Sequence, residues 1–99
     1  MSNENPNTSV HKPTVQLIMC AYPLGIPNVH YLTLLSILIE EMSIRALASV
    51  IAHIRGGHYS VYMNDVVEAK NFVPNENVAS LVKDKLLNCG YEEWLEQSD

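Results

Sequence analysis

Four histidines, two cysteines and a glycine turn beside an arginine are the residues of this 99-residue chain most able to do chemistry. His53 and His58 stand five apart, with Gly56-Gly57 between them. Two ligands on one helical face need a spacing of three or four, and a glycine pair breaks the helix that would present them, so no metal ligand is assigned. His53 is expected at the edge of a helix and His58 in a solvated turn. Cys20 and Cys89 lie far apart and belong to no CxxC pair, so neither a zinc cage nor a disulfide framework is read from them. Each is read as a small core hydrophobe, because a catalytic thiolate needs a cationic neighbour and the sequence names none. No catalytic, cofactor-binding or metal-ligating residue is assigned, and the chain is expected not to be an enzyme.

The turn from His53 through Arg55, Gly56 and Gly57 to His58 could offer consecutive backbone N–H groups to an anion. It closes a helix, however, so the negative end of the helix dipole faces the site, and the turn reads as a helix stop. The acidic pairs Glu40-Glu41 and Glu92-Glu93 would diverge by about 100° on a helix and read as solvated charges. Tyr59, Tyr62, Phe72, Tyr91 and Trp94 lack the basic interleaving of a single-strand binder, which favours packing.

These residues must be held by a single domain, since the chain has room for one packed core. A hydrophobic fraction of 47% with 17% charged residues is that of a folding chain. Six Lys and Arg against eleven Asp and Glu give a net charge of −5, which repels nucleic acid and anionic lipid, and the basic residues are scattered. The longest nearly apolar run, residues 31–39, is less than half the roughly 20 residues that a bilayer requires. The N-terminus shows no positive charge followed by an apolar stretch, so with unpaired cysteines a reduced, cytoplasmic compartment is expected.

Residues 1–12 carry turn formers without apolar periodicity and are expected to be a disordered tail, leaving 13–99 as the domain. Pro13 suits a first helical turn, and Val15, Leu17, Ile18, Ala21 and Tyr22 supply its apolar face. Pro23-Leu24-Gly25-Ile26-Pro27 is an elbow, after which Asn28 can cap a helix over 29–41 that is apolar on most sides and therefore central. Ser43 caps a third helix with Ile44, Leu47, Val50, Ile51 and Ile54 on one face, stopped by Gly56 in a left-handed conformation. A fourth helix, capped by Ser60, is expected to reach Lys70, although its valines and tyrosines would tolerate a strand. Pro74-Asn75 precedes a fifth, with Val78, Leu81, Val82 and Leu86, that ends at Asn88-Cys89-Gly90. The closing Tyr91, Trp94 and Leu95 are expected to fold back on the bundle.

The elbow Ala21-Tyr22-Pro23-Leu24-Gly25-Ile26-Pro27, the following Tyr31 with Leu34-Leu35, and the closing Val73-Pro74 with Gly90-Tyr91 belong together. They resemble domain-of-unknown-function family 3349, small all-helical actinobacterial proteins. The likeness spans about residues 15–94, with His30 standing where an aspartate is usual and Tyr91 where tryptophan is. It implies short helices packed as two small orthogonal bundles sharing a central helix, and it brings no assigned activity.

The resulting expectation is an all-α domain of about five helices. Its function is read as a non-enzymatic protein-interaction or regulatory adaptor, with a protein partner or a second copy of itself, because Tyr59, Tyr62 and Trp94 look exposed. The alternative is a nucleic-acid-binding regulator with a degenerate helix-turn-helix. The 55–60 connection is longer than that motif allows, and Asp65 and Glu68 oppose a single Lys70 on the recognition helix.

Overall fold

Residues 11–97 are described by the computed structural model. They form α1 (Lys12–Ala21), α2 (Asn28–Leu38), α3 (Ile44–Arg55), a 3-10 turn (Tyr59–Tyr62), α4 (Met63–Lys70), α5 (Glu76–Leu87) and α6 (Tyr91–Gln97), with no strand among the described residues. The all-helical expectation holds, with six α-helices where about five are expected. The additional one is α6, built from the segment expected to fold back. Of the expected 1–12 tail, residues 1–10 lie outside the described residues, and Lys12 already belongs to α1.

Proline and glycine punctuate the chain much as their chemistry requires. Pro13 sits in the first turn of α1, where a missing N–H costs nothing, and Val15, Leu17, Ile18 and Ala21 are buried from this helix. Pro23 keeps Tyr22 out of helical geometry, at φ −133° and ψ 67°, so α1 stops at Ala21. Helix α2 begins at Asn28 with Pro27 in the capping position and no side-chain cap, so Asn28 is the first helical residue and not the cap. It ends at Leu38, short of the expected 41, after burying Leu34, Leu35 and Leu38 completely. Its neighbours are α4 and α5.

Ser43 does cap α3, its hydroxyl accepting from the Ala46 N–H at 3.1 Å. The face of α3 buries Leu47, Ala48, Val50 and Ile51, with Ile44 and Ile54 half-buried at its ends. Gly56 ends the helix at φ 91° and ψ 155°, a positive-φ conformation more extended than the expected left-handed cap and essentially confined to glycine.

The stretch expected to be one helix from Ser60 to Lys70 is two elements. His58, not Ser60, caps its start, Nδ1 accepting from the Ser60 N–H at 3.2 Å. The tightened first turn is pinned by the Tyr62 hydroxyl, which donates to the Gly56 carbonyl at 2.7 Å. Only beyond it does the chain relax into α4, where Val66 and Ala69 are buried. Asn75 caps α5 by accepting from the Asn77 and Val78 N–H groups at 2.8 and 3.2 Å. Val82 and Leu86 then enter the core, whereas Leu81, counted on the apolar face, is exposed.

Helix α6 returns against α1 and α5. Trp94 is buried, 4% exposed, and its indole N–H donates to Thr14 Oγ1 at 2.8 Å, so the expectation of an exposed Trp94 is corrected. Cys20 and Cys89 are also corrected. They form a disulfide across 69 residues with Cα atoms 5.9 Å apart, and Cys20 is exposed while Cys89 is half-buried. Spacing in the chain carries no sign of this pair, because the bond depends on α1 meeting the α5–α6 junction in space.

Candidate functional site

The turn weighed as an anion nest is organised inward. The guanidinium of Arg55 lies 4.2 Å from the centroid of the Tyr31 ring and donates to the Ile26 carbonyl at 3.3 Å. Tyr31 in turn donates its hydroxyl to Asp65 Oδ2 at 2.8 Å. Burial first, then the Asp65 hydrogen bond and charge, push the Tyr31 phenol well above its ordinary pKa, with Arg55 opposing. The phenol therefore stays a fixed donor, and the group ties α2, α3 and α4 together. The arginine that would have attracted an anion is spent on this tie.

His58 and Ser60 form the one Ser–His contact recorded among the described residues, Nδ1 to Oγ at 2.9 Å. Nδ1 also accepts the Ser60 backbone N–H, so its lone pair is shared in closing the turn and is poorly placed to activate the hydroxyl. His53 lies in the last turn of α3 and is exposed, and among the described residues no three His, Cys, Asp or Glu converge to hold a metal ion.

At the elbow, the Tyr22 hydroxyl and His30 Nδ1 are 2.9 Å apart with their rings edge-on at 5.7 Å, and Lys85 Nζ stands 5.5 Å from the Tyr22 centroid. Burial raises the Tyr22 pKa. His30 is thus the polar partner of the buried Tyr22. Nothing in the local sequence announces that pairing.

Of the three aromatics expected to be exposed, Trp94 is not and the two tyrosines are so only in part. Trp94 is internal, Tyr59 lies half-buried beside His58 with Arg45 5.0 Å from its ring, and Tyr62 is half-buried with its hydroxyl engaged. Between the two tyrosines Val61 is exposed, and further exposed apolar groups lie at Phe72 and Val73.

A groove of about 430 Å³ opens where the C-terminal end of α2 meets the α4–α5 connector. Ile37 and Ile39, Ala69 with Phe72 and Pro74, Ala79 of α5, and Tyr91 of α6 line it, and Ser36, Glu40, Lys70 and Lys83 supply the polar lining. After Lys70 the chain turns at Asn71, whose N–H and that of Phe72 bond back to Glu68 and Ala69, and residues 72–75 carry no regular element before α5 begins at Glu76. Phe72 is 36% exposed and the adjoining Val73 87%. Burial, then Glu41 and Glu40, raise the Tyr91 pKa, which keeps that phenol protonated at the groove wall. The sequence places Phe72 among the packing aromatics and Val73 only in the closing Val73-Pro74 motif. The available signal was two large apolar residues in a connector, outside any helical period.

A second cleft, of about 550 Å³, lies between α1 and α6 beside the disulfide, with Leu17, Cys20, Cys89 and Trp94 among its lining residues. No family model, no curated protein and no solved structure matches the chain.

Proposed function

We propose that the chain is a non-enzymatic interaction or regulatory adaptor that takes an apolar segment of a protein partner into the groove between α2, α4 and α5. The observation that carries this reading is the exposed Phe72 in a concave surface of mixed apolar and polar lining, with the exposed Val73 beside it. A semi-exposed aromatic beside a pocket is the usual anchor of a protein contact, and a groove of about 430 Å³ takes one or two partner side chains. Among the charged lining residues Lys70 and Lys83 outnumber Glu40, which favours a segment flanked by acidic residues.

The nucleic-acid alternative has less support. Arg45 and Arg55 are stacked on tyrosine rings, and the helix that would read bases is the eight-residue α4, offset from α3 by a 3-10 turn. Packing as two small orthogonal bundles that share a helix belongs to the same proposal: α2 lies against α4 and α5, while α1 meets α3, α5 and α6, so the element common to both sets is α5 and not α2, the expected central helix. The likeness to small actinobacterial proteins, drawn from the elbow and the Leu34-Leu35 pair, is part of this proposal, as is a cytoplasmic setting.

The test is affinity capture and sedimentation velocity with Phe72→Asp, and with Val61→Asp on the exposed 3-10 turn as control. Loss of a captured protein, or of a concentration-dependent dimer, in the first variant but not in the second supports the groove, and a lost dimer identifies the occupant as a second copy. Equal capture by both variants, or a strict monomer without a partner, removes the proposal.

A further inference from the structure

The Cys20–Cys89 bond joins the last turn of α1 to the junction of α5 and α6. Cys20 is an exposed residue, so the bond lies at the surface of the fold, where a thiolate can approach it. The α-helix it secures is the shortest in the fold and carries one buried side chain. Helix α6 has seven residues, of which Trp94 is buried while Glu92, Glu93 and Glu96 face water. A helix of this length has no stability of its own and persists by docking. That docking is supported by the Trp94 bond to Thr14 and by the covalent tie just before the helix begins. A cleft already runs between α1 and α6 at this tie, so separation there follows an existing seam. The completely buried Leu34, Leu35, Leu38, Leu47, Val50 and Ile51 belong to α2 and α3, whereas α6 packs against α1 and α5.

We propose that Cys20–Cys89 is a thiol-responsive latch, whose reduction frees α6 from α1 and uncovers Leu17 and Trp94 while the core of α2 to α5 stays folded. A thiolate attacks Cys20 Sγ, the Cys20–Cys89 bond breaks, and a mixed disulfide forms as Cys89 leaves as a thiolate and takes up a proton. A second thiol then resolves the mixed disulfide, releasing the oxidised reductant and the Cys20 thiol. Two electrons pass from a pair of small thiols, or from one dithiol, to the protein. Disulfides in reducing compartments are commonly transient and sensing, so a latch reconciles the bond with a cytoplasmic setting. Because Tyr91 is one wall of the groove between α2, α4 and α5, freeing α6 also alters that groove, a consequence that rests on the proposed function where the latch itself does not.

Trp94 is the chain's single tryptophan, so its emission reports the latch directly. The oxidised full-length protein is equilibrated in glutathione buffers of increasing reducing strength, with thiol counting, tryptophan emission, far-UV circular dichroism and hydrogen exchange followed together. The latch requires two thiols to appear, Trp94 emission to shift to the red, and exchange across α6 to quicken by about tenfold or more. Exchange in α3 and α5 stays protected, and reoxidation restores the starting state. The double variant Cys20→Ser with Cys89→Ser shows the released emission in every buffer. Unchanged emission with both thiols free, global loss of helix on reduction, a bond that resists glutathione, or an oxidised-like spectrum from the double variant would each overturn the proposal.

Discussion

Thr14 and Trp94 stand 80 residues apart in sequence and share one buried hydrogen bond, on which the indole nitrogen depends for its polar partner. Replacing Thr14 by Val keeps the shape and orphans the indole N–H, which costs about 1–3 kcal/mol when buried. A urea titration followed by Trp94 emission is expected to show that loss as a lower midpoint with an unchanged slope. The tyrosines set the alkaline limit. Tyr22, Tyr31 and Tyr91 all hold their phenolic protons more tightly in the fold than the ordinary value of 10.0, chiefly through burial. Near pH 10 the unfolded chain begins to lose these protons while the folded one retains them, so the stabilisation is intact below about pH 10 and is lost as pH rises through the folded values. Thermal midpoints are expected to fall above about pH 10, and less steeply for Tyr31→Phe, which removes the most strongly shifted of the three.

Among the helices, stability at the ends is unevenly distributed. Helices α3 and α5 carry side-chain caps at Ser43 and Asn75, while α2 has none and relies on its burial of leucines. Ser43→Ala is therefore expected to destabilise the fold by about 1 kcal/mol, measured as a shift in chemical denaturation midpoint. At the other end of α3, a Cβ added at Gly56 would meet nothing within 4 Å. The cost of Gly56→Ala is accordingly that of the backbone alone, at φ 91° about 1–3 kcal/mol, with circular dichroism of the native state unaltered. Helix α6, with a single buried side chain, is the element that yields first, and its hydrogen exchange is expected to exceed that of α3 even before reduction.

For the molecule as a whole, the disulfide closes a loop of 69 residues and so removes much of the freedom of the unfolded chain. Replacing both cysteines by serine is expected to cost about 4 kcal/mol, read as a lowered urea midpoint. Single domains of this size commonly hold about 5–15 kcal/mol, so a folded core is expected to survive the loss. The net charge of −5 sets the long-range character of the surface, which disfavours polyanions, while Lys70 and Lys83 place local positive charge where Phe72 is exposed.

Local covalent chemistry was legible from the chain alone. Pro13, Pro23 and Pro74, the positive-φ Gly25 and Gly56, the Ser43 cap and the 3.6-residue spacing of Leu47, Val50 and Ile51 act over a few bonds, and each located a helix or its end. Burial was legible where it followed a single helical face, as for Val15, Leu17 and Ile18. Contacts between distant segments were not. The bond of Cys20 to Cys89, the bond of Trp94 to Thr14, the tie of Tyr31 to Asp65 and the groove at Phe72 join residues from different elements. Each depends on how one helix is laid across another, which is decided by the summed packing of many apolar side chains and leaves no periodic mark at any one of them.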